Sequence, residues 1–141
     1  MKILVAIDGS APSLAALRFA IGLIGKTTEP GSIGLVAVRD DTGLRSASRV
    51  VGRKAIEEYL REQSEADLVE ARKLIEATDI PHETIYRTGR PEVEICAVAT
   101  EDGYDMIAMG SKGRAGLGDL LIGSVAQRVS AMAKQPVVLV K

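Results

Sequence analysis

The chain has 141 residues, 46% of them hydrophobic and 26% charged, with a formal net charge of -1. That length fits one domain, so residues 1–141 are read as a single unit able to bury a core without a disulfide or metal staple. Balanced charge and only 3% aromatic residues exclude a general nucleic-acid surface, which needs a basic excess and stacking rings.

Ile3–Ile7 is a continuous apolar run stopped by Asp8-Gly9-Ser10, the pattern of a fully buried strand and a turn. It is far too short to cross a membrane and lacks a signal-peptide layout, so a soluble, cytoplasmic protein without a membrane span is expected. Ser10 or Ser13 is placed to cap the next helix, with Pro12 in its first turn. Leu14, Leu17, Ile21 and Ile24 recur at helical spacing, and Gly25 closes that helix. Ala20–Thr27 resembles a phosphate loop on paper, but it lies inside this helix instead of between a strand and a helix.

Ile33–Val38 predicts a second strand. Arg39–Arg53 has no convincing period and reads as a mobile loop. A long helix over about Lys54–Thr78 follows, with Ile56, Leu60, Leu68, Ala71 and Ile75 on one side. Ser64 interrupts that stripe and predicts a bend or an exposed face. Its glutamates (Glu57, Glu58, Glu62, Glu65, Glu70) read as a solvated surface. Glu83–Thr88 alternates weakly, as a half-exposed edge strand would. His82, the sole histidine, is expected to be exposed. A short helix carrying Val93, Ile95, Cys96, Val98 and Ala99 follows, and Cys96 is read as a buried, inert thiol. Asp105–Met109 is a further buried strand. Val125, Val129 and Met132 mark a last helix, and Pro136–Val140 the final strand. Strands alternating with helices in this way predict an α/β fold with a parallel sheet.

The stretch Gly110-Ser111-Lys112-Gly113-Arg114 leaves a buried strand, and Gly123-Ser124 opens the following helix. Backbone amides wrap an anion only where side chains leave room, and a helix start adds unpaired donors and partial positive charge. Ser124 supplies a hydroxyl, and Lys112 and Arg114 supply positive charge. The whole reads as a two-sided cradle for a polyphosphate. The connection is about twice as long as an ordinary one of roughly 2–6 residues. Gly116 and Gly118 do not complete a dinucleotide fingerprint, because Leu121 takes the third glycine's place.

Ligands of open parallel sheets sit beyond the carboxyl ends of the strands, where strand order reverses. If the first and fourth strands are neighbours, Asp8 ends one and Met109-Gly110 the other. Asp8 is then placed to accept from a ribose hydroxyl or an adenine amine, or to help hold Mg²⁺. Its alternative role is a turn residue capping the first helix. Val38, ending the second strand, is a candidate apolar wall for a base.

These residues resemble the universal stress proteins, specifically their ATP-binding branch. That branch carries Gly, two residues, Gly, nine residues, then Gly and Ser or Thr, and Gly110, Gly113, Gly123 and Ser124 meet every spacing. The opening Val5–Ser10 and the closing Pro136–Val140 are similar to the family too. The resemblance implies an open, doubly wound sheet of five parallel strands in the order 3-2-1-4-5, an adenine-nucleotide alpha-hydrolase-like fold, usually dimeric. It implies that Asp8 and Val38 meet the adenosine. Met109, Gly110, Lys112, Gly113, Gly123, Ser124 and Val125 would line the ribose and phosphates, with Ser111 and Arg114 in the same loop. Ala126 lacks the hydroxyl that other members offer there.

The expected ligand is ATP, or AMP or ADP, with or without Mg²⁺. The expected role is a nucleotide-dependent regulatory module of the stress response, acting on an unidentified protein partner. The alternatives are a slow ATPase, with Asp8 or Asp119 placing the water, and a nucleotide-free dimeric scaffold. In the implied strand order Val137–Val140 is an uncharged edge, which predicts a homodimer paired along it. The Arg39–Arg53 loop, with Arg45 or Arg49, is a candidate lid over the nucleotide.

Overall fold

A computed structural model describes residues 1–44, 48–113 and 121–141. The strands are β1 (Lys2–Ala6), β2 (Ser32–Arg39), β3 (His82–Thr88), β4 (Met106–Gly110) and β5 (Val137–Val140). The helices are α1 (Ala11–Ile24), α2 (Ser48–Val51), α3 (Arg53–Glu76), α4 (Pro91–Glu101) and α5 (Ser124–Met132). All neighbouring strands pair in parallel in the order β3-β2-β1-β4-β5. Strand order therefore reverses between β1 and β4, where Leu4 lies opposite Ile107 and Val5 opposite Ala108.

The central strands are apolar on both sides because each face of the sheet is covered. On one face Ile3, Val5, Leu35 and Ala37 pack with Leu17 and Ala20 of α1 and Leu68, Ala71 and Ile75 of α3. On the other, Leu4, Val36, Ile107 and Met109 pack with Ile95, Val98 and Ala99 of α4 and Ala126 and Val129 of α5. The core is built almost entirely of aliphatic side chains, with Tyr104 its one buried aromatic ring among the described residues. Among the described residues no helix is long and apolar enough to cross a membrane.

Several local expectations change. The stretch after β2 is not without structure, because Ser48–Val51 forms a helical turn. Gly52, at a φ of 89°, then redirects the chain into α3. Ser64 does not face water; it is buried within the apolar stripe of an uninterrupted α3. Its small side chain lets the helix keep its contact with the sheet there. Glu65 departs from the solvated row. Arg72 and the Tyr86 hydroxyl of β3 both donate to its carboxylate, which holds its pKa below the usual carboxylate range. Arg39 likewise ties the end of β2 to α3 through Asp67 and the Gln63 carbonyl. On α4 the core-facing position falls to Glu92, 2% exposed, while Val93 is 39% exposed. Residues 92, 95 and 99 share one helical face, and that geometry outranks the hydrophobicity of Val93. Cys96 is half-buried, and burial, then the nearby Glu92 charge, pushes its thiol pKa up.

Candidate functional site

A cleft of about 250 Å³ opens beyond the carboxyl ends of β1, β2 and β4. Its position follows from the switch in strand order, which leaves the ends of β1 and β4 diverging under separate helices.

Asp8 enters from the turn after β1. Gly9 takes a φ of 80°, a conformation that favours glycine, so the chain reverses at once and α1 begins. The Asp8 carboxylate closes that turn: Oδ1 accepts from the Ser10 amide at 2.9 Å and from the Ser10 hydroxyl at 2.5 Å. Ser10 in turn is the N-cap, its hydroxyl accepting from the Ser13 amide at 3.3 Å. Of the roles weighed for Asp8, the structure gives it the turn, while the cap of α1 falls to Ser10; Asp8 also lines the cleft.

Met109, Gly110, Lys112, Gly113, Gly123, Ser124 and Val125 line the same cleft. The glycine loop is drawn together at its base. The Ser111 amide donates to the Val140 carbonyl at 2.8 Å, and the Gly123 amide donates to the Ser111 carbonyl at 2.7 Å. Ser111 itself is buried and stays off the cleft wall, so its contribution is to hold the loop. Arg114, like Arg45, Gly116, Gly118 and Asp119, lies outside the described residues.

The glycines have different physical reasons. A Cβ on Gly110 would come within 2.7 Å of the Pro12 Cβ, so this glycine lets the end of β4 meet the first turn of α1. A Cβ on Gly113 would stand 2.8 Å from Asp8 Oδ2. At Gly123 a Cβ would make only ordinary contacts, the nearest at 3.5 Å, so protein packing alone does not demand glycine there.

Helix α5 begins at Ser124 behind Gly123, with no side-chain cap hydrogen bond and no acidic residue in its first turn. Its leading amides, which an α-helix leaves without intrahelical partners, border the cleft with a partial positive charge. Val36, Val38, Pro91 and Ile95 give the same cleft an apolar lining. Pro91 and Ile95 come from α4, and Ala6, Ile7, Ser13 and Ala126 also line the cleft. Of these, the sequence reading singled out only Ala126 for the site and missed the others. The helical spacing of Pro91 and Ile95 was visible, but nothing local says that α4 crosses back over β2. Arg49, on α2, does not line the cleft among the described residues.

A family model described as the Universal stress protein family matches residues 1–141. The chain belongs to the universal stress protein family. It is 34% identical over 141 residues to universal stress protein MJ0531 of Methanocaldococcus jannaschii, covering 99% of this chain and 81% of that protein. The solved structure of MJ0577 from the same organism matches with a TM-score of 0.87 at 28% identity, covering 99% and 94% of the two chains. A universal stress protein from Archaeoglobus fulgidus, solved in complex with dAMP, shares the fold with a TM-score of 0.69 at 24% identity, covering 100% and 98%. The universal stress protein fold accounts for the strand order, helices on both faces and a cleft at the switch between β1 and β4.

Proposed function

We propose that this universal stress protein binds an adenine nucleotide in the cleft, the base against Val38 and the phosphates over the glycine loop and the first turn of α5. What carries the reading is one cavity with two kinds of lining: apolar side chains from β2 and α4, and a helix start without a side-chain cap beside glycine backbone. A flat apolar base and a polyanion suit those linings in that order. The dAMP complex of the Archaeoglobus fulgidus relative points to the same ligand class. Asp8, at the edge of the cleft, would accept from the ribose or serve a nucleotide-bound Mg²⁺. ATP, ADP and AMP are the candidate forms. In this reading the protein acts in the cytoplasm, as a stress-response module whose nucleotide state changes a partner interaction.

Mass spectrometry of material released from gently desalted protein should identify a trapped adenine nucleotide. Calorimetry with ATP, ADP and AMP, each with and without Mg²⁺, should give saturable heats. Absence of nucleotide in the first experiment and of heat in the second would remove this function.

We also infer a homodimer joined along β5. The strand pairs only with β4 among the described strands and carries no charge. The opposite edge, β3, exposes His82 and Glu83 and includes Arg87. Charged edges resist strand pairing and apolar ones invite it. Val138 belongs to neither core cluster, so Val138→Lys charges the edge with little cost to the interior. Sedimentation velocity should give a dimer for the unchanged chain and a monomer for Val138→Lys. A monomer for both would count against the edge as the interface.

A further inference from the structure

Glu92 is a carboxylate in the first turn of α4 with a side chain only 2% exposed. A hydrogen bond to its own backbone amide, then the Arg90 and Arg128 charges, hold its pKa below the usual carboxylate range despite burial. Its Oε1 accepts from Arg90 Nη2 at 2.7 Å and lies 3.6 Å from Arg128 Nη1. The two arginines belong to different parts of the molecule. Arg90 is the residue just before α4, whereas Arg128 is on α5, one helical turn after Ser124.

The neighbours on each side are cleft residues. Pro91 and Ile95 flank Glu92 on α4, and Ser124, Val125 and Ala126 precede Arg128 on α5. Farther from the cleft, Val98, Ala99 and Val129 belong to the buried cluster that joins the two helices. At the mouth, α5 has no side-chain cap of its own, and its first intrahelical bond runs from the Gln127 amide to the Gly123 carbonyl at 3.0 Å. We infer that Glu92 is a positioning residue, which through Arg128 holds the N-terminal half of α5 against α4 and thereby sets the spacing of the two helices that line the cleft. The functional half of this assignment rests on the nucleotide reading above; the mechanical half does not.

Amide hydrogen exchange of the nucleotide-free protein, paired with calorimetry, separates the two. Glu92→Gln keeps the shape and removes the charge, and Arg128→Met removes only the α5 partner. Each should accelerate exchange across Gln127–Ser130 several-fold while exchange in β1 and β4 is unchanged. The double variant should do no more than either single one. Arg90→Met, which leaves the pairing between the helices in place, should leave α5 protected. Each of the first two variants should weaken ATP on the order of fivefold, with adenosine scarcely affected.

Unchanged α5 exchange in Glu92→Gln, uniform acceleration throughout the chain, or equal effects of Arg90→Met and Arg128→Met would each overturn the positioning role. Altered exchange with unaltered ATP affinity would overturn its functional half. Should the unchanged protein bind no nucleotide, the nucleotide reading and that functional half fall together, and the exchange measurements still decide the coupling of the helices.

Discussion

Replacing Gly113 with valine is expected to weaken ATP binding at least about tenfold, or about 1.4 kcal/mol, while leaving the unfolding midpoint near that of the unchanged protein. The new Cβ would stand 2.8 Å from Asp8 Oδ2, and the valine methyls would extend beside it in the cleft. Asp8 has little room to yield, because its Oδ1 is engaged by both the amide and the hydroxyl of Ser10 at the start of α1. Gly113 itself is exposed and lies outside both core clusters, so the adjustment stays at the cleft surface. Gly110→Val supplies the contrast. Its Cβ would press on Pro12, both on Cβ and on the backbone carbon at 2.9 Å, and should lower stability as well as binding. Calorimetry with ATP and urea unfolding on both variants check this pattern. An ATP affinity for Gly113→Val within about twofold of the unchanged chain would move the anion site off this loop.

Replacing Gly34 with alanine should do the opposite, lowering stability by about 3 kcal/mol, toward the upper end of what overpacking costs, with ATP affinity preserved. Gly34 lies in β2 opposite Leu4 on one side and Glu83 on the other. The Tyr104 ring is laid across it, and an alanine Cβ would fall on the tyrosine hydroxyl and within 2.5 Å of Cζ. Tyr104 is fixed from several directions. It is 3% exposed, its hydroxyl donates to Glu83 Oε1 at 2.9 Å, and Lys2 Nζ sits 4.3 Å from the ring centre. Burial first, then that bond to Glu83, pushes the phenol pKa up. The ring therefore moves only by giving up these contacts. Glycine in a strand ordinarily costs about 0.5–1 kcal/mol relative to alanine, so without the ring the substitution would stabilise. The sign should accordingly reverse in a Tyr104→Ala background and stay destabilising in Tyr104→Phe, which keeps the ring carbon. Urea denaturation of the three backgrounds, each with and without Gly34→Ala, measures this. Equal costs of Gly34→Ala in all backgrounds would show that the ring is not the obstacle.

The two glycines illustrate what was legible beforehand. Gly113 was marked by its company, a loop between a buried strand and a helix start, spaced from Gly123-Ser124 as the family spaces them. Gly34 sits in the middle of an apolar run and carries no such signal, because its partner arrives 70 positions later in the chain. The same distinction covers Glu92. A charged residue beside Val93 reads as surface until α4 is docked, and only then does its phase on the helix place it inside. Ser64 was misjudged for the same reason in the opposite sense, as a polar interruption that proved to be a buried small residue.

Composition and periodicity by themselves determined the parallel α/β plan, since apolar runs of strand length separated by amphipathic stretches can bury both faces of a sheet in few ways. They also determined where glycine and serine congregate. The strand order was legible only through the family resemblance, not in any local pattern. Only the tertiary structure decided that α4 lends Pro91 and Ile95 to the cleft, and that Arg128 meets Glu92. The physical reason is separation along the chain. Local pattern records each residue's preference for a helix, a strand or the interior. Contacts between distant segments are selected by how whole helices settle on the sheet, and no short window of sequence contains that choice.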